Sequence, residues 1–135
     1  MSPCAILCVD DEYIILKALR EELRFRFGER YSYESAFSAD EAMTLIEELS
    51  EEGVRVILII SDLLMPGIKG DEFLIQVRRR FPGIRSIMVT GHADKESVAR
   101  AINEAGAYRV LPKPWDSEEL LRAVAECVAA AERGG

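Results

Sequence analysis

No apolar run in this 135-residue chain approaches the ~20 residues that a membrane-spanning helix requires, so no span and no membrane partner are expected. Histidine occurs once and cysteine three times, which argues against a zinc or other soft-metal centre. Cys4 and Cys8 lie too far apart along one extended segment to bridge, and Cys127 falls in a late helical pattern, so all three thiols are expected to be reduced and structural. An excess of positive charge is also missing. A net charge of -7 repels phosphate backbones and anionic headgroups, which argues against direct nucleic-acid binding. The opening MSPCAILCVDDE carries no basic region ahead of its brief apolar stretch, unlike a secretory signal, and a cytoplasmic location is the resulting expectation. Repeats, low-complexity tracts and linkers are absent apart from the ERGG tail. With 49% hydrophobic and 30% charged residues, the chain reads as one globular domain over 1–135, long enough to bury about two-thirds of its unfolded surface.

What is present is a strict alternation. Short apolar runs rich in β-branched residues, without polar alternation, read as strands buried on both faces, near 5–9, 31–36, 55–60, 85–90 and 108–111. Between them lie helical stripes spaced i, i+3, i+4, i+7. The clearest are Ala42, Leu45, Ile46, Leu49; Val98, Ala101, Ile102, Ala105; and Leu121, Val124, Ala125, Val128. Weaker stripes at Ile15, Leu19, Leu23 and at Phe73, Leu74, Val77 complete helices over 12–26, 39–51, 69–80, 95–105 and 116–131. Ser38 with Glu41, and Asp116 with Glu119, have capping-box spacing. Gly28, Gly53, Pro82-Gly83 and Gly106 follow helical stretches as stop signals. Such alternation implies an α/β fold with a parallel sheet covered by helices on both faces.

Four strand ends carry chemistry: Asp10-Asp11 after AILCV, Asp62 after VILIIS, Thr90 after RSIMV and Lys113 after YRVLP. Open α/β sheets bind ligands at this carboxyl edge. Three gathered carboxylates repel one another, and a hard dication such as Mg2+ relieves the repulsion and bridges to phosphate oxygens. A carboxylate can then attack phosphorus to form an acyl phosphate. Asp62, ending the most apolar strand, is the expected nucleophile, while Asp10 and Asp11 are placed to hold the ion. Lys113 offers a point charge to one phosphoryl oxygen and Thr90 a hydroxyl donor to another. Each signal alone also fits a helix cap, a turn or a solvated loop cation. Their conjunction at four strand ends carries the argument.

The segments VDDE at 9–12, SDLLMPGIKGDEFL at 61–74, VTGHAD at 89–94 and LPKPW at 111–115 resemble, in order and spacing, the signature segments of the receiver domain of bacterial two-component response regulators. The resemblance implies a flavodoxin-like, doubly wound sheet of five parallel strands in order 2-1-3-4-5 with five helices. It implies that Asp62 accepts a phosphoryl group from the phosphohistidine of a sensor histidine kinase or histidine phosphotransfer protein. Asp11, Asp62 and the backbone carbonyl of Leu64 would then bind Mg2+ directly, and Asp10 mainly through water. Thr90 and Lys113 take the family's phosphate-sensing positions, and Lys113-Pro114 matches a cis peptide bond. Val110 departs from the pattern, standing where an aromatic residue is usual, with Tyr108 two residues earlier. Leu64 and His92 occupy positions that flank the phosphate; His92 is read as a solvated loop side chain.

Helix 116–131 shows a broad apolar face, with Leu120, Ala123 and Cys127 beside its core stripe, which suggests a surface for an output domain or a second copy. Trp115 is expected to pack, and Arg78-Arg79-Arg80 to complement a helix C-terminus. A small Mg2+-dependent phosphohydrolase with an aspartyl nucleophile is the alternative. Against it, Leu64 stands where such an enzyme would carry a second acid, and no cap insertion is present. A flavodoxin-like cofactor carrier is disfavoured by the acidic edge and the lack of a Gly-rich phosphate loop after the first strand.

Overall fold

The computed structural model describes residues 3–92 and 94–134, so Ala93 of the VTGHAD segment and the last glycine of ERGG lie outside the described residues. The elements run β1 (Cys4–Val9), α1 (Tyr13–Phe27), a 3-10 turn (Gly28–Arg30), β2 (Ser32–Ala36), α2 (Ala39–Glu51), β3 (Arg55–Ser61), α3 (Gly70–Arg80), β4 (Arg85–Thr90), α4 (Lys95–Asn103), β5 (Arg109–Pro112) and α5 (Ser117–Gly134). All four strand pairings are parallel, in the order β2-β1-β3-β4-β5. This is the flavodoxin-like order, and no helix among the described residues is long and apolar enough to cross a membrane.

Alternating residues of β1 divide the core. Ala5, Leu7 and Val9 face the layer of α2, α3 and α4, whereas Ile6 and Cys8 face α1 and α5. Burial on both faces is why these strands read as unbroken apolar runs. A register shift between Ala5 and Ile6 leaves Ile57 as an extra residue in β3.

Local signals act as the sequence indicates. The Ser38 hydroxyl accepts the N–H of Glu41 at 3.2 Å, and Asp116 accepts that of Glu119 at 3.0 Å. Gly28 and Gly106 close α1 and α4 with φ of 63° and 70°, backbone that side-chain-bearing residues rarely adopt. An unanticipated cap is Asp94, whose carboxylate accepts the N–H of Ser97 at 2.8 Å.

The rotation of three helices differs from expectation. In α1 the fully buried line is Leu16, Leu19, Leu23 and Phe27, with Ile15 only half-buried. In α4, Ser97 and Ala101 face inward, while Ile102 is 46% exposed. In α5, Leu120, Ala123, Val124, Cys127, Val128 and Ala131 are buried against the sheet, whereas Leu121 and Ala125 lie at the margin. The broad face offered above to a partner or a second copy is therefore the helix's own core face. A stripe four or five residues wide shows that a buried side exists, and packing against the sheet decides its centre. Trp115 packs against the same layer, with its indole N–H donating to Glu22 at 3.0 Å. The arginine cluster ending α3 also bridges helices, Arg80 to Glu47 at 2.9 Å and Arg78 to the carbonyl of Glu104 at 3.3 Å.

Burial pushes the thiol of Cys8 up to about 12 and that of Cys127 up to about 11, so neither supplies thiolate near neutrality. Cys4 is partly exposed. At about pH 8, an aromatic disulfide reagent is expected to titrate at most Cys4 in the native protein and all three thiols in denaturant. Rapid labelling of Cys127 without denaturant would contradict this packing of α5.

Candidate functional site

Parallel strands end in step, so the residues that follow β1, β3, β4 and β5 meet at one edge. The N–H of Asp10 donates to the carbonyl of Ala36 at 3.1 Å, and that of Asp62 to the carbonyl of Val9 at 2.9 Å. The Lys113 N–H donates to the carbonyl of Thr90 at 3.0 Å. The ladder thus continues one residue past each strand and fixes the functional side chains to it. The Lys113-Pro114 bond is cis, as the resemblance implies.

The Lys113 ammonium lies between two carboxylates, donating to Asp10 Oδ2 at 2.6 Å and pairing with Asp62 Oδ2 at 3.1 Å. The other oxygens are held by backbone: Asp10 Oδ1 accepts the N–H of Glu12 at 2.9 Å, and Asp62 Oδ1 that of Leu63 at 2.7 Å. Asp10 and Asp62 are buried and Asp11 is exposed. Burial raises the Asp10 carboxyl above its ordinary value, although Lys113 and the Glu12 N–H pull it down. Burial by itself would lower Lys113; its hydrogen bonds to Asp10 and Asp62 and their charges outweigh that and raise it. The ammonium is therefore held charged at neutral pH, with three donors for oxygens gathered around it.

Asp10, Asp11 and Asp62 each offer an oxygen within 4.8 Å of the others. Carboxylate oxygens alone, without nitrogen or sulfur donors, form a set suited to a hard dication such as Mg2+. Four of the expected side chains are thus brought together: Asp10, Asp11, Asp62 and Lys113. Thr90 lies at the same edge, but its hydroxyl is turned to the next loop, accepting the N–H of His92 at 3.0 Å. His92 and Leu64 are exposed. Val110 is half-buried against the α2–α4 layer, while Tyr108 points outward and donates to Glu126 at 2.5 Å.

Gly70, which no reading of the motifs singled out, supports the site directly. Its N–H donates to the carbonyl of Leu63 at 2.7 Å, and a Cβ there would fall 2.0 Å from the carbonyl oxygen of Asp62. A glycine opening a helix, where it is a poor former, was the available signal of close backbone approach.

Known proteins resemble this chain in sequence and fold. The family model for the response regulator receiver domain matches residues 6–125. The hydrogenase transcriptional regulatory protein HoxA of Cupriavidus necator is 40% identical over 125 residues, covering 93% of this chain and 24% of that protein. The chain thus spans about a quarter of the length of this curated relative. The signal receiver domain of an HD domain-containing protein from Pseudomonas fluorescens superposes with a TM-score of 0.85 at 32% identity, covering 98% of this chain and 91% of that one. A CheY-like response regulator receiver domain protein from Methanospirillum hungatei gives 0.84 at 32% identity, covering 99% and 100%.

Gly70→Ala is expected to lower stability by about 2 kcal/mol or more, because the added methyl meets backbone that cannot rotate away. Urea unfolding measures the loss. A variant of native stability would show that the contact between α3 and Asp62 has room to relax.

Proposed function

This chain belongs to the response regulator receiver domain family of two-component systems, signalling domains rather than free-standing enzymes, and from that membership we propose that Asp62 is its phosphoacceptor. The observation that best supports this reading is the Lys113 ammonium set between the Asp10 and Asp62 carboxylates at 2.6 and 3.1 Å. It pairs the candidate nucleophile with a cation suited to a phosphoryl oxygen. Residues 1–135 act as one receiver domain in the cytoplasm. The donor is a phosphohistidine on a sensor histidine kinase or a histidine phosphotransfer protein, and the phosphorylated domain acts on an output domain. The phosphohydrolase alternative finds no support in this family.

In the reaction, a carboxylate oxygen of Asp62 attacks phosphorus and forms the new O–P bond as the N–P bond of phosphohistidine breaks. The bonding pair leaves with the imidazole nitrogen, which takes up a proton. Charge on the equatorial oxygens is met by the Lys113 ammonium, which exchanges a carboxylate partner for a phosphoryl oxygen. The Thr90 hydroxyl, released from the backbone of His92, donates to another. Asp11, Asp62 and the Leu64 carbonyl would hold Mg2+ directly, with Asp10 reaching it through water. When bound, the ion would offset part of the negative charge of the three carboxylates and of the phosphoryl oxygens. Leu64 offers no group to orient attacking water.

With acetyl phosphate and Mg2+, the chain is expected to gain one phosphoryl group by intact mass, and Asp62→Asn to gain none, because an amide lacks the nucleophilic oxygen anion. Equal labelling of that variant would move the acceptor elsewhere.

By binding the folded state alone, Mg2+ is expected to stabilise it by about 2–3 kcal/mol at a hundredfold excess over its dissociation constant, and so to raise the melting temperature. Asp11→Ala should remove most of that shift in a thermal scan. An undiminished response would place the ion away from the acidic edge.

A further inference from the structure

A cavity of about 510 Å3 opens between α1 and the loop that joins β5 to α5. Ile15 and Glu22 line it from α1; Lys113, Pro114 and Trp115 line it from the loop, and Ser117 from the start of α5. Its wall is mainly apolar, and its volume is that of a small-molecule site.

One acid in this wall has no cation to answer it. Glu22 Oε2 accepts the indole N–H of Trp115 at 3.0 Å, which is a neutral donor. Glu22 Oε1 is shut off from solvent and has no hydrogen-bond partner. No ion pair joins this carboxylate to a cation among the described residues. Lys113 lines the same cavity, but its ammonium is committed to Asp10 and Asp62 at 2.6 and 3.1 Å. A buried acceptor left without a donor is costly, and a charged one more so, so the cavity favours an occupant that brings a positively charged donor.

We propose that this cavity binds a small organic ammonium ion, one amine on an apolar body about the size of phenethylamine. The ammonium meets the Glu22 carboxylate, whose terminal torsion is soft enough to turn Oε1 toward it. It then stands beside the indole of Trp115, whose ring attracts cations. The apolar body lies against Ile15 and Pro114. Six lining residues are far fewer than the roughly 20–30 that one side of a protein interface engages, which favours a free amine over the lysine of a protein partner. The net charge of -7 draws cations toward the surface. Glu22 stands outside the acidic group at the strand ends, so this site does not depend on the role of Asp62.

Trp115 is the chain's one tryptophan, so its fluorescence reports on the cavity. Titration with phenethylammonium chloride at constant ionic strength is expected to change that emission saturably, with a midpoint below about 1 mM for a ligand of this size. The neutral isostere 2-phenylethanol is expected to bind about tenfold more weakly or worse, because it lacks the charge. Glu22→Gln keeps an acceptor for the indole and removes the charge; it should melt as the native protein does and lose about tenfold or more in affinity for the amine. Ser117→Phe, at an exposed position, keeps Glu22 and fills the cavity, and should lose the amine as well. Emission that changes only linearly with amine, equal binding of the alcohol, or native affinity in either variant would overturn the site. A short lysine peptide that binds more tightly than the free amine would overturn the choice of occupant and assign the cavity to a protein partner.

Discussion

Repulsion among carboxylates sets the terms for this molecule. Asp10 and Asp62 are buried at adjoining strand ends with Asp11 beside them, an arrangement that costs energy unless positive charge is placed among them. Lys113 answers that constraint from β5, two positions away from β3 in the sheet, with an ammonium 2.6 Å from one carboxylate and 3.1 Å from the other. The pairing spans most of the sheet's width. It makes the geometry of the edge depend on every strand between β1 and β5 staying in register.

The parallel sheet makes this possible. All strands point the same way, so their carboxyl ends form a single line, and apolar side chains on both faces lock the line in place. Chemistry is thereby separated from packing. Apolar runs carry stability, and the residues after them carry the candidate chemistry. Lys113 is held charged between its two acidic partners.

The helices divide by how they are held. α1, α2, α3 and α5 each sink a line of large or numerous apolar residues into the core, whereas α4 rests on Ala101, Ser97 and ion pairs to α3. Hydrophobic burial is insensitive to direction, while a hydrogen-bonded ion pair holds one geometry and releases when its partner moves.

Much of this was legible from residues alone. Runs such as VILIIS and RSIMV have no other stable home than a doubly covered sheet, and the alternation with helices leaves few topologies. The four motifs located Asp10, Asp11, Asp62, Thr90 and Lys113 at a common edge because strand ends are recognisable locally. Tertiary structure decided what local pattern leaves open. Adjacent residues on a helix lie about 100° apart, so a broad stripe does not reveal its own centre; packing turned Leu120 and Cys127 inward and Ile102 outward. Contacts between segments distant in sequence carry no local signature either. Lys113 pairing with Asp10 across 103 positions, Gly70 pressed on the Asp62 carbonyl, and Arg100 reaching Asp71 exist only once the sheet has brought those segments together. The sequence by itself determined which groups stand at the edge, and the fold decided which of them touch, because hydrogen bonds and ion pairs act over a few ångströms that only chain packing can supply.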